Sequence, residues 1–261
     1  MPLPTALQIE TAALTAWPGL FSANDGHWVW RAARGYSNRA NSIQCLDPGD
    51  GADAAVRLGR LTDLFTRHGL SPVFKVTPLT APGALAAIDA VDWSPFGHSH
   101  VLCMQMRANT AEPRHHTALF DPRDPQWHCV QAELSGYGDY DAESVRLILE
   151  RVPCDQRGVL AYDANGVPAA AVLVAVANGI SIYGNVVTRA SHRGQGFGRA
   201  GMNAAIAWAV SGRAPVRPLA RVRSRRACIA RTTSRSTAGP LPAACERTRS
   251  RCRSARRLSG L

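Results

Sequence analysis

The stretch Arg193-Gly194-Gln195-Gly196-Phe197-Gly198-Arg199 sets three glycines at alternate positions between two arginines. An apolar run ending in Val186, Val187 and Thr188 precedes it, and a helical pattern, FGRAGMNAAIAWAV, follows. A loop that leads straight into a helix has several backbone N–H groups with no intrahelical acceptor. They converge on a point where the helix dipole favours an anion. Glycines let the backbone close on that anion without a Cβ clash. Arg193 and Arg199 add charge-assisted bonds. The chemistry implied is the holding of a phosphate or pyrophosphate, with Phe197 anchoring the helix on a sheet.

A nucleotide P-loop needs Gly-Lys-Ser/Thr, and this loop has no Lys. Gly196-x-Gly198-x-x-Gly201 satisfies the dinucleotide pattern, but that fold asks for an acid about 20 residues later. Residues 213–245 contain none. The strands upstream also read as an antiparallel meander, not as the opening of a parallel sheet. The run NVVTRASHRGQGFGRAGMNAAIAWA instead resembles the Arg-x-x-Gly-x-Gly strand–loop–helix junction of the GNAT superfamily of acyl-CoA-dependent N-acetyltransferases.

The resemblance covers residues 125–212 and implies an N-acetyltransferase that moves an acetyl group from acetyl-CoA to the primary amine of a small molecule or peptide. It implies that Arg193, Gly194, Gln195, Gly196, Phe197, Gly198 and Arg199 hold the pyrophosphate. Val186, Val187 and Thr188 would offer backbone groups to the pantetheine arm and the acetyl carbonyl. Residues 1–110 resemble the degenerate first unit of two-domain members, with no such loop of their own. Within them Arg34, Asn38, Arg39 and Asn41 form a polar stretch between strands, read either as substrate-facing or as a solvated turn. The acceptor amine must lose a proton to a base, and Tyr183, Asn185 and Glu143 lie in the right region. Nothing in the sequence picks one of them, so the catalytic residues stay open. Family members commonly finish the reaction with a Tyr on the helix after a further strand. After Trp208 this chain has no Tyr, Asn or Phe. The enzyme is therefore read either as impaired by this C-terminus or as intact, and two further readings stand beside it: a non-catalytic acyl-CoA-binding protein, or a nucleic-acid binder through the basic tail.

The elements that must position the loop follow from periodicity. LQIETAALTAW has helical spacing, HWVWRAA alternates like a strand, and SPVFKVTP is a short strand between prolines. ADAAVRLGRLTDLFTRHG is an amphipathic helix with Val56, Leu58, Leu61, Leu64 and Phe65 on one side and Gly69 closing it. GALAAIDAVDW reads as a helix and HVLCMQMR as a strand, giving the order αββαβαβ. Residues 111–124 read as a linker. Then WHCVQAELS is expected as a strand, and DAESVRLILERV as a helix capped by Asp141. Residues 157–187 read as three antiparallel strands with turns at Asn165-Gly166 and Asn178-Gly179. The fold class expected is α/β: a mixed, largely antiparallel sheet flanked by helices, in two tandem units (1–110 and 125–212), the second incomplete.

Charge separates the rest. The chain of 261 residues carries +11, but residues 213–261 hold 14 Arg and one acid. The remainder is therefore near neutral, which disfavours nucleic acid as a partner except through that tail. The tail is expected to be a disordered Arg-rich segment, either a native basic extension or the product of a reading-frame change. RTTSRSTAG (231–239) can be encoded so that another frame reads Asn-Asp-Glu-Pro-Leu-Tyr-Arg-Arg, like the family's missing helix. Seven scattered Cys without a C-x-x-C pair suit reduced thiols and a cytoplasmic location. Five of the histidines, His98, His100, His115, His116 and His128, have no zinc-ligand spacing, so no metal is expected. The longest apolar run, Val167–Ala177, is too short to span a bilayer. MPLPTALQIE has no basic run and an early Glu10, so no signal peptide is expected.

Overall fold

The computed structural model describes residues 3–104, 114–211, 222–223 and 227–229. The first helix, α1 (Ala6–Ala16), opens on a capping box: Thr5 Oγ1 accepts from the Gln8 N–H and Gln8 Oε1 from the Thr5 N–H. β1 (Phe21–Asp25), β2 (Trp28–Ala32) and β3 (Ser42–Cys45) follow as antiparallel neighbours. Next come α2 (Ala54–Arg67), β4 (Val73–Lys75), α3 (Pro82–Ala90), β5 (Ser94–Phe96) and β6 (His100–Val101). Trp28, Trp30, Ile43 and Phe74 on the strands pack with Leu58, Leu61 and Phe65 of α2. Val56 does not join them; it is 62% exposed. At that point of the helix the inward position belongs to Arg57, whose guanidinium bonds Asp50 Oδ1 at 2.6 Å.

The second half is built on four strands. β7 (Thr117–Phe120) lies inside the segment read as linker and pairs with β8 (Asp155–Tyr162). β9 (Pro168–Ala177) and β10 (Ile180–Thr188) complete the antiparallel order β10-β9-β8-β7. The meander expected from the Asn-Gly pairs is present. Asn178 and Gly179 both take positive φ (52° and 72°), the backbone that a two-residue hairpin turn demands.

The stretch expected as a strand, WHCVQAELS, is instead α4 (Pro125–Ser135). Asp124 caps it by accepting from the Gln126 N–H at 2.8 Å, Pro125 occupies its first turn, and Gly136 ends it in the left-handed region. The short apolar alternation was outweighed by these caps and by the i, i+4 spacing that buries Trp127 and Gln131 together. α5 (Asp139–Glu150) starts two residues before the expected cap, so Asp141 stands in its first turn, not at its N-cap, which is Gly138.

β9 is buried along almost its whole length. α6 (Phe197–Ser211) packs on β8 and β9 through Ala205 and Ala209. α4 and α5 pack through Trp127, Ile148 and Leu149 against Leu160, Ala171 and Leu173. Of the strand expected over 100–107, only His100–Val101 is extended; residues 105–107 lie outside the described ones. In the tail, where no regular structure was expected, β11 (Val222–Arg223) pairs with β6. β12 (Ala227–Ile229) lies between β4 and β5 in the six-stranded sheet β1-β2-β3-β4-β12-β5. The rest of the Arg-rich tail lies outside the described residues. Among those described, no helix is long and apolar enough to cross a membrane.

Candidate active site

β10 is the last strand of its sheet, so one edge of it offers backbone groups that no neighbouring strand takes up among the described residues. Its register slips between Gly184 and Val187. Such a bulge bends a strand and re-aims its backbone groups. Asn185 sits in it at φ 49°, and Val186 is half exposed. Val187 and Thr188 return to register opposite Ala171 and Ala170.

A short 3-10 turn, Ala190–His192, connects β10 to the glycine loop. Gly194 and Gly196 have φ of 76° and 93°, which side-chain-bearing residues rarely adopt. Gly198 is required for a different reason: a Cβ there would lie 2.8 Å from Thr188 Oγ1, so the helix start could not approach the strand end. The first backbone bond of α6 runs from the Ala200 N–H to the Gly196 carbonyl, at 2.9 Å. The N–H groups ahead of it lie before the helical ladder begins. Phe197 is buried against Ala161, Ala169 and Ala170, which seats the helix on the sheet. Arg193 Nε approaches the Thr188 carbonyl at 3.4 Å, and the Arg193 and Arg199 side chains are exposed. Strand end, loop and helix start thus form one continuous surface that carries Val186, Val187, Thr188 and Arg193 through Arg199.

Two histidines brace this loop, and the sequence singled out neither for that role. His115 donates from Nε2 to the Gln195 carbonyl at 2.9 Å and stacks on Phe197 with ring centroids 3.9 Å apart. His192 bonds Asp163 Oδ2 at 3.3 Å and meets Phe197 edge-on. The Val167 N–H, His192 and the Asn165 N–H together hold the Asp163 carboxyl below its usual range. The loop is therefore fixed from the residues just ahead of β7 on one side and from the β8–β9 turn on the other.

A family model described as "Probable histone acetyltransferase Rv0428c C-terminal" matches residues 6–234. The chain belongs to that family. It is thus a GNAT-superfamily acyl-CoA N-acyltransferase. The match runs on past Gly212, into the Arg-rich tail. The chain is 25% identical over 207 residues to the uncharacterized N-acetyltransferase YobR of Bacillus subtilis (strain 168), spanning 77% of this chain and 82% of the relative. A GCN5-related N-acetyltransferase from Kribbella flavida superposes with a TM-score of 0.62 at 17% identity, covering 87% of this chain and 95% of its own. A tandem GNAT protein from the clavulanic acid biosynthesis pathway gives 0.55 at 11% identity, covering 87% and 88%. At these identities the two structures speak for the fold alone.

None of the three residues suggested as base in this GNAT site is poised to take a proton. Burial pushes the Tyr183 phenol up to about 12, so it keeps its proton at neutral pH. Glu143 is engaged by Arg146 at 2.8 Å, which holds its carboxyl below the usual range. Asn185 Oδ1 accepts from Arg39 Nη2 at 3.0 Å. That last bond brings the polar stretch 34–41 of the first half directly onto the bulge of β10. Beside it, the Tyr36 and Tyr137 hydroxyls bond each other, and Arg34 lies over the Tyr140 ring at 4.3 Å. Of that stretch, Arg39 thus meets β10, while Asn41 is buried and bonds the Ala33 and Gly35 N–H groups.

Proposed function

We propose that the chain transfers an acetyl group from acetyl-CoA to a primary amine of a small molecule or peptide. In this reading residues 125–212 carry the acyl-CoA and residues 1–110 contribute the acceptor side. The single observation that carries the reading is the bulged free edge of β10 running into the positive-φ glycine loop and the start of α6. The uncommitted amides of Gly194 through Arg199, with the Arg193 and Arg199 side chains, suit a pyrophosphate. The β10 edge at Val186, Val187 and Thr188 offers backbone groups to an extended amide-bearing arm and to a carbonyl oxygen. Donors aimed at such an oxygen stabilise the charge that develops on it during acyl transfer. The acyl-CoA supplies the activated thioester.

The protein's own residues then position the amine and exclude competing water. The Tyr36–Tyr137 pair is available as a proton relay: the two hydroxyls bond each other, and burial keeps the Tyr36 phenol protonated. No phosphate-bearing ligand of the dinucleotide type is favoured, because the strands ahead of the loop are antiparallel. A cytoplasmic location agrees with the scattered cysteines.

Isothermal titration of the full chain with acetyl-CoA tests the reading. Binding is expected, and Gly196→Asp is expected to remove it. The substitution puts a side chain at φ 93° and a negative charge where the pyrophosphate would sit. A chain that fails to bind acetyl-CoA, or a variant that binds it as well as the parent, overturns the proposal.

A further inference from the structure

The acceptor side of the site carries a charge that makes no ion pair among the described residues. Arg39 leaves the first half of the chain and reaches the β10 bulge, where Nη2 donates to Asn185 Oδ1 at 3.0 Å. A Cβ on Gly184 would stand 3.0 Å from Arg39 Nη1, so the glycine is what lets the guanidinium lie against the strand. Its Cζ lies over the Trp17 ring, 4.8 Å from the centroid. The residue as a whole is exposed, while burial of the guanidinium end pushes its pKa down; its remaining donors make no hydrogen bond among the described residues, and it has no ion pair among them.

Arg34 makes no ion pair among the described residues, though its charge acts on Glu143, and it is held over Tyr140 at 4.3 Å. The charge of Arg39 acts on both Tyr36 and Tyr137. The nearby acids do not cancel it. Glu143 is committed to Arg146, and Asp141 is only the weakest of the influences on Tyr36. By contrast, other arginines close to the site are engaged: Arg189 pairs with Glu133, and Arg31 donates to the Trp17 and Arg39 carbonyls.

We propose that the acceptor is a small amine that also bears a carboxylate, and that Arg39 takes that carboxylate beside the bulge of β10. A guanidinium presents a planar fork that matches a carboxylate with two parallel bonds. A single such fork, with phenols around it, suits a planar monoanion better than a phosphate dianion. It also disfavours a lysine side chain in a basic peptide, because an incoming cation would meet the charges of Arg34 and Arg39. Anchored there, a short amino acid presents its amine to the bulge, where the acyl carbonyl lies in the reading above. Tyr36, Tyr137 and Tyr140, which are partly or fully exposed, give the acceptor's hydrocarbon part ring surfaces to lie on.

The inference rests on the acyl-transfer reading of the β10 edge, and its test keeps the two apart. CoA is titrated into the full chain first. L-amino acids and 4-aminobutyrate are then titrated into the CoA-saturated chain, each paired with its decarboxylated amine, along with a lysine-rich peptide. At least one carboxylated member is expected to bind about tenfold tighter or more than its partner, the factor that losing a charge-assisted bond removes. Arg39→Met is expected to shrink that ratio to within about twofold while leaving CoA affinity unchanged. Arg39→Lys, which keeps the charge but not the fork, is expected to fall between. Equal or tighter binding of the decarboxylated amines or the peptide overturns the proposal. So does a ratio that survives Arg39→Met, or a chain that binds CoA but no carboxylated amine. A chain that binds no CoA overturns the acyl-transfer reading, and this inference with it.

Discussion

His115 lies 80 positions before the loop residue it holds, yet its ring covers Phe197 and its Nε2–H closes on the Gln195 carbonyl. A Cβ on Gly196 would come within 3.5 Å of the same ring. The imidazole therefore sets both the height and the tilt of the loop whose amides are proposed to meet the pyrophosphate. Removing it leaves the fold largely intact, because Phe197 keeps its contacts with Ala161, Ala169, Ala170 and Ala200. His115→Ala is expected to weaken acetyl-CoA binding by roughly threefold to tenfold while costing about 1 kcal/mol or less in stability, the scale of one net hydrogen bond and one ring contact. His115→Phe, which keeps the stack and loses the bond, is expected to recover part of the affinity. Titration and a thermal melt of the two variants separate these effects. Unchanged affinity in His115→Ala would show that the loop holds its shape unaided.

The glycine loop itself was legible from seven consecutive residues, because what it does is local: backbone angles, helix start and charge. His115 was not, since a contact across that separation leaves no period in the chain. The same holds for Arg39, whose partner Asn185 is 146 positions away. Its polar neighbourhood was visible in Arg34, Asn38, Arg39 and Asn41, but not the strand it faces.

At the scale of elements, the β8–β9–β10 meander was readable because its turn chemistry is specific. Asn178-Gly179 supplies the two positive φ angles of a tight hairpin, and Asp163 Oδ1 ties the other turn by accepting from the Asn165 and Val167 N–H groups. α4 was misread because nine residues of WHCVQAELS fit a half-buried strand as well as a helix. The deciding signals were outside the stretch, in Asp124, Pro125 and Gly136.

The packing of α4 on the sheet yields a test. Gly158 of β8 lies under the Trp127 indole so closely that an added Cβ would stand 2.5 Å from Cε2 and Nε1. Trp127 is fully buried and its Nε1–H points at the Val159 carbonyl, so the ring has no free space to retreat into. Gly158→Ala is expected to destabilise the protein by about 1–3 kcal/mol, the usual cost of overpacking a filled core. Chemical denaturation followed by far-ultraviolet circular dichroism reads it directly. A variant as stable as the parent would mean that α4 sits further from β8 than these contacts imply.

At the scale of the whole molecule, the two halves are joined by two apolar clusters, one large and one small. Trp17, Ala33 and Ala40 from the first half pack with Trp127, Val145, Ile148, Leu149, Leu160, Ala171 and Leu173 from the second. Ala12 of α1 adds a second contact with Ala177 and Ile180 at the β9–β10 turn. The ring of Trp17 is buried on the cluster side and carries Arg39 on the other, and its carbonyl accepts from Arg31 Nη1 at 2.8 Å. The same side chain thus joins the halves and seats the arginine proposed to hold the acceptor. Such a shared core makes each half a source of stability for the other, so the two should open together.

Trp17→Ala is expected to cost about 3–5 kcal/mol, as removal of a large buried aromatic does. Hydrogen exchange read peptide by peptide checks where that loss falls. Protection is expected to drop in β2–β3 and in β8–β9 by similar amounts, with a single unfolding transition by fluorescence and circular dichroism alike. A drop confined to the first half, with β8–β9 protected as in the parent, would show that residues 114–211 stand alone and that the cluster is a docking contact between independent folds. In that case Trp17→Ala would also leave acetyl-CoA binding intact while abolishing the preference for carboxylated amines. A shared core predicts instead that both are lost together as the protein loosens.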